Sequence, residues 1–215
     1  MAKVLDILGI NDMMAAFKNV RSLTLISLLI ALTIVGNRLL SIPVMPNMLE
    51  IRFGFLFLAT IAFLYGPALA FSAGVLTNMI GFLLFSRGGA FIPLFDLNVG
   101  LSGILYAIFL YKKNPASEYF IIWIVAARAS VNIICNLIIN TYLLIMFGFI
   151  PASGAGMITG LRVFRNIGLL PIDILMMLVV LKFVAVYASK YNFVRSDLIK
   201  PNKKPNLIES KQKQK

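Results

Sequence analysis

The sequence has no histidine, one cysteine and only 13% charged residues among its 215. Each shortage excludes something. Without imidazole, zinc sites and histidine-based acid–base chemistry fall away. A single cysteine, Cys135, forms no intrachain disulfide, and no Ser-His or Cys-His set exists for nucleophilic catalysis. No G-x-x-x-x-G-K-[ST] run offers a P-loop for ATP. The few carboxylates are scattered: Glu50, Asp96 and Asp173 do not form the cluster that a lipid-acting membrane enzyme or a proton relay would need. No evident inverted repeat suggests a free-standing secondary transporter. No A-x-A-like site follows an apolar core near the N-terminus, so a signal peptide is not expected.

What the chain has instead is apolar sequence. It is 60% hydrophobic with a mean hydropathy of +0.92, whereas a soluble domain carries about 25% charged residues. The reading is an all-α integral membrane protein, a bundle of six transmembrane helices, with no cofactor called for. The spans are placed at about 22–42, 51–65, 67–85, 96–111, 119–147 and 161–187, judged against the roughly 20 residues that a bilayer requires. Residues 1–21 form an N-terminal interfacial segment, 22–190 the membrane domain and 191–215 a basic tail. In the first of these, Ile10, Met13, Met14 and Phe17 share one helical face. Pro171 is expected to kink the last span.

The net charge of +12 is unevenly spread. Lys190, Arg195, Lys200, Lys203, Lys204, Lys211, Lys213 and Lys215 follow the last apolar run. Next to a span, such residues fix topology and touch anionic lipid headgroups rather than nucleic acid. Six spans place both termini on the cytoplasmic face, together with Lys3, Lys18, Arg21, Lys112 and Lys113. The opposite face then receives Arg38, Arg52, Arg87, Arg162 and Arg165 and no lysine. Exported positive charge runs against the topology rule. These arginines either snorkel and pair with Glu50 and Asp96, or together meet an anionic ligand, for which the guanidinium fork suits carboxylate or phosphate.

Within the spans, Tyr65-Gly66-Pro67 marks a tight turn between two apolar runs. After it, Gly74, Asn78 and Gly81 offer surfaces that neighbouring helices can approach. On the fifth span Arg128, Asn132, Asn136 and Asn140 recur every four residues, a stripe that must face the bundle or a cavity. Interhelical hydrogen bonding accounts for Asn132 and much of Asn136. Asn140, nearer the external end, is placed to meet a ligand, its amide presenting donor and acceptor side by side. On the sixth span Arg162, Arg165, Asn166 and Asp173 fall on roughly one face. Ser27 and Ala31 form a small-xxx-small pair on the first, for packing inside the bundle or against a partner.

Taken in order, NRLLSIP, RFGFLFLA, YGPALAFSAG, NMIGFLLFSRGGAFIP, SGILYAIFLYKK, NTYLL and LRVFRNIGLLPIDI resemble the folate family of S components of energy-coupling factor (ECF) vitamin transporters. The likeness extends from about Ser27 to Asp173. It implies a substrate-binding subunit, not an enzyme, in a bacterial plasma membrane. Such a subunit captures a folate-like vitamin from outside and works with a transmembrane coupling protein and two ATPases. Pantothenate or a corrinoid is the alternative ligand. The resemblance implies a pocket contributed by Arg38, Phe85, Arg87, Phe95, Asn140 and Tyr142, with Asn136 and Arg165 added from the polar faces above. It implies that Ser27 and Ala31 dock on the coupling protein. Loops over 86–95 and 148–160 would close on the ligand. Two positions depart from the family pattern: Asn78 stands where an Asp is common, and Tyr142 where an indole is frequent.

Overall fold

A computed structural model describes residues 9–45, 49–85, 91–115, 117–149 and 155–191. In chain order the elements are α1 (Ile10–Lys18), α2 (Val20–Arg38), β1 (Ile42–Met45), β2 (Leu49–Ile51), α3 (Gly54–Tyr65), α4 (Pro67–Leu84) and α5 (Pro93–Leu110). A long helix follows as α6 (Phe120–Ser130), a π-helical segment (Val131–Ile139) and α7 (Asn140–Met146), and then α8 (Ala155–Gly168) and α9 (Leu170–Tyr191). Among the described residues, five helices are long and apolar enough to cross a membrane: α2, α4, α5, the continuous rod 120–146 and α9. The bundle is therefore that of a multi-pass membrane protein. Its outer surface carries apolar side chains such as Leu83, Val179 and Phe183, which in water would be a liability and in lipid are the expected coat.

The core forms around α3, a twelve-residue apolar helix in which ten residues are buried. At 1.5 Å per residue it is shorter than a bilayer's hydrocarbon core, and it is enclosed by its neighbours. Small residues let those neighbours close in. A Cβ on Gly36 would lie 2.9 Å from the Gly54 nitrogen, and the Phe53 amide donates to the Gly36 carbonyl at 3.1 Å. The α4–α5 contact is tighter. A Cβ on Gly103 would sit 2.5 Å from the Ala70 carbonyl oxygen, and one on Gly74 would sit 2.7 Å from that of Val99. The turn before α4 needs glycine for another reason: Gly66 has φ 85°, with Pro67 opening the next helix.

Three local features differ from the sequence reading. The segment after α2 is an antiparallel strand pair, Ile42 opposite Ile51 and Pro43 opposite Glu50, so the chain is not purely helical. Pro43 bars helix but tolerates extended backbone at a sheet edge. The loop expected over 148–160 gives way to α8 from Ala155, and that expected over 86–95 gives way to α5 from Pro93. Gly156 and Gly160 sit inside α8 despite their weak helix propensity, with no described atom within 4 Å of where a Cβ would stand. The last span is interrupted at Leu169, two residues before the proline. Pro171 has no amide to give to Ile167, while Leu169 still donates to Arg165 and Asp173 to Leu169.

α1 lies across one end of the bundle. Gly9 packs on the Tyr65–Pro67 turn and the Tyr111 hydroxyl donates to Asp12. Met14 and Phe17 stay exposed on it, as an interfacial helix requires. Residues 192–215 of the basic tail and Arg87 lie outside the described residues.

Candidate functional site

At the opposite end, a cavity of about 500 Å³ opens between the ends of α2, α4 and α7 and the starts of α3, α5 and α9, with α8 along one side. Its polar lining is unusual for a membrane interior: five arginines, 38, 52, 128, 162 and 165, against two carboxylates, Asp96 and Asp173. Among the described residues the excess is three positive charges.

One arginine belongs to the scaffold. Arg128 is buried, and its Nη2 and Nε donate to Asp173 Oδ2 at 2.7 and 3.1 Å while Nη1 donates to the Tyr106 hydroxyl at 2.6 Å. Its guanidinium lies 3.7 Å from the centre of the Phe55 ring. These contacts tie α6 to α9, α5 and α3. Asp173 thus serves Arg128, and among the described residues Asp96 is the other carboxylate in the lining with Arg38, Arg52, Arg162 and Arg165.

Three of the four gather near α8. Burial lowers the pKa of both Arg162 and Arg165, and repulsion from Arg52 lowers it further. Arg162 Nε is a buried donor with no hydrogen-bond partner among the described residues, a state that an incoming acceptor would relieve. Arg38 approaches from α2 and lies over Gly81, whose missing side chain makes room: a Cβ there would be 3.2 Å from Arg38 Nε.

The amide wall comes from the long helix. On an α-helix a four-residue spacing advances about 40° per step, so three steps would carry Asn140 far round from Arg128. The π-turns hold more residues each and rewind the stripe. Arg128 and Asn132 are buried while Asn136 and Asn140 line the cavity. Asn136 Nδ2 donates to Asn132 Oδ1 at 2.9 Å, and Asn98 Nδ2 donates to the Cys135 carbonyl at 3.1 Å. On the α4–α5 wall, Asn78 Nδ2 donates to Asp96 Oδ1 at 2.6 Å. Aromatic rings line the mouth: Phe82 and Phe91 lie 5.3 Å apart, and Phe95 lies 6.3 Å from Phe149.

Of the residues expected from sequence, Arg38, Phe95, Asn136, Asn140 and Arg165 line this cavity together. Phe85 and Tyr142 do not. Phe85 caps α4 outside the lining. Tyr142, two positions beyond Asn140 and so turned about 200° from it, is 66% exposed on the outer surface. Ser27 and Ala31 are both exposed on the outer face of α2. Sequence reasoning missed Phe82, Phe91 and Phe149, which are ordinary in a chain with seventeen phenylalanines. It treated Asp96 only as a partner for arginine, although an acidic residue opening an apolar helix is itself a signal.

The model of the family "ECF-type riboflavin transporter, S component" matches residues 17–188. The chain is similar to the folate transporter FolT of Clostridium novyi (strain NT), 29% identical over 124 residues, which is 58% of this chain and 68% of that relative. It is also similar to FolT of Leuconostoc mesenteroides subsp. mesenteroides, 26% identical over 157 residues, or 72% of this chain and 80% of that one. Among solved structures, the crystal structure of FolT bound with folic acid matches with a TM-score of 0.63 and 26% sequence identity, covering 85% of this chain and 99% of that chain.

Proposed function

This chain belongs to the ECF-type riboflavin transporter S component family, and on that premise we propose that it captures folate, or a close relative of folate, in the cavity described above. The observation that carries the choice of ligand is the arginine excess. Folate ends in a glutamate with two carboxylates, which the group around Arg52, Arg162 and Arg165 can take up as charge-assisted hydrogen bonds. Riboflavin carries no carboxylate to offer these guanidinium groups. The similarity to two FolT proteins, and to a FolT structure holding folic acid, supports the same choice. Arg38, Asn136 and Asn140 supply polar contacts, and Phe82, Phe91 and Phe95 supply ring faces for stacking.

Transport then needs partners. In our reading, all six apolar helices, with α3 as the short one, form the membrane unit. Both termini face the cytoplasm and the cavity faces outward across a bacterial plasma membrane. A transmembrane coupling protein docks on the exposed Ser27–Ala31 face of α2, and two ATPase subunits hydrolyse ATP.

The test is a calorimetric titration of the purified protein with folic acid and, separately, riboflavin. Tight one-to-one binding of folic acid with riboflavin at least about 100-fold weaker, a difference of some 2.7 kcal/mol, is the expected result. The reverse order overturns the ligand, as does preference for pantothenate or a corrinoid. Silence toward all four from folded protein overturns capture itself.

A further inference from the structure

Among the described residues, the cavity holds one carboxylate that the Arg128 ion pair does not use. Asp173 is engaged by two nitrogens of Arg128. Asp96, in the first turn of α5, is 4% exposed yet lines the cavity, and accepts from Asn78 at 2.6 Å. A carboxylate has about four lone-pair positions. The bond from Asn78 occupies one and fixes the plane of the group, leaving acceptor capacity beside the ligand space. Phe82, Phe91 and Phe95 line the same cavity, Phe82 four residues after Asn78 on α4 and Phe95 next to Asp96 on α5. A cavity lined by aromatic rings and holding a fixed carboxylate suits a flat heterocycle that offers N–H groups at its edge.

The acceptor character is what discriminates. An amide such as Asn140 presents one donor and one acceptor and fits an edge of mixed polarity. An ionised carboxylate presents acceptors only, so it fits two neighbouring donors. A 2-amino-4-oxopyrimidine edge offers that pair, an exocyclic amino group next to a ring N–H. A pyrimidine-dione edge, as in a flavin, sets a carbonyl on each side of its N–H. Those oxygens would stand against the carboxylate, a repulsive element that rejects the wrong ring.

We infer that Asp96, held by Asn78, is a specificity-determining residue that reads adjacent N–H donors on the ligand's ring, while the arginines take its anionic end. This rests on the reading that the cavity captures a folate-like vitamin and adds the orientation of that ligand: amino edge toward α4 and α5, carboxylates toward α8.

The experiment pairs a change in the protein with a change in the ligand. Full-length wild-type protein and Asp96→Asn, a substitution that keeps the acceptor for Asn78, are titrated with folic acid and with its 2-desamino-2-methyl analogue. Wild type should bind the analogue about 30-fold more weakly than folic acid, the scale of a lost charge-assisted hydrogen bond. Asp96→Asn should lose a clearly larger factor toward folic acid than toward the analogue, which keeps only the ring N–H for this residue to read. Equal losses toward both ligands would mean that Asp96 only balances charge or supports the fold, and would overturn the inference. So would a wild-type protein indifferent to the 2-amino group, a result that stands even where Asp96→Asn does not fold. Wild type binding neither compound removes the capture reading and this assignment with it, whereas folic acid binding without discrimination removes the assignment alone.

Discussion

Asp173→Asn should destabilise the empty protein more than any single change on the cavity's arginine wall. The substitution keeps the side chain's size and leaves Arg128 charged, buried and without a counter-ion. The Tyr106 hydroxyl at 2.6 Å and the Phe55 ring at 3.7 Å orient the guanidinium but do not neutralise it. Removing one partner of a buried pair costs about 3–5 kcal/mol. At roughly 2–4 °C per kcal/mol for a chain of this size, the midpoint of thermal unfolding should fall by about 6–20 °C. The reverse deletion should be milder. In Arg128→Met the carboxylate left behind still lies within electrostatic reach of Arg165, so we expect about 1–3 kcal/mol. The double variant Arg128→Met/Asp173→Leu exchanges the pair for apolar packing and should recover to within about 1 kcal/mol of wild type or exceed it. Unfolding in detergent, followed through the single tryptophan, Trp123, measures all four proteins. A cost below about 1 kcal/mol for Asp173→Asn, or a larger cost for Arg128→Met, would refute the view that this pair is a buried, mutually neutralising strut.

Three further outcomes follow from the geometry. Gly81→Ala puts a methyl 3.2 Å from Arg38 Nε, so the flexible guanidinium should move; folic acid affinity should drop by about tenfold with the unfolding midpoint nearly unchanged, since one charge-assisted contact is at stake. Gly103→Ala drives a methyl to 2.5 Å from a backbone oxygen of α4, and the helices must part, at a cost of about 1–3 kcal/mol in thermal unfolding. Arg162→Gln relieves repulsion with Arg52 and removes a half-buried charge. The empty protein should gain about 0.5–1 kcal/mol of stability while its affinity for folic acid falls, and a variant that loses both would contradict the crowded-cation picture.

The sequence made some of this legible and not the rest, for reasons that lie in the residues. Apolar runs announced the helices because lipid demands internally satisfied backbone. The arginines that six spans would export pointed to an anionic ligand because that placement breaks the topology rule, and Arg38 and Arg165 do face one cavity with Asn136 and Asn140. Tyr142 was out of reach of such reasoning. Whether Asn140 or Tyr142 turns inward depends on helix phase, and a π-segment changes phase without any mark in composition. The aromatic lining had the same problem: Phe82, Phe91 and Phe149 differ from the lipid-facing phenylalanines only by tertiary position. The strand pair after α2 escaped because prolines forbid helix without saying what replaces it.

The π-segment bears on how proteins of this kind diverge. Such a segment is the mark that an added residue leaves when a helix absorbs it instead of breaking. Across Val131–Ile139 the Asn140 amide reaches back to the Cys135 carbonyl, five residues rather than four. Gain or loss of one codon in this stretch would therefore re-index every side chain between the buried arginine and the cavity mouth, while the flanking α-helical turns keep their packing. Relatives that take chemically different vitamins are then expected to differ by single-residue gaps within positions 131–139 as well as by substitutions at the pocket. An ungapped alignment of this helix would pair residues that face directions about 100° apart.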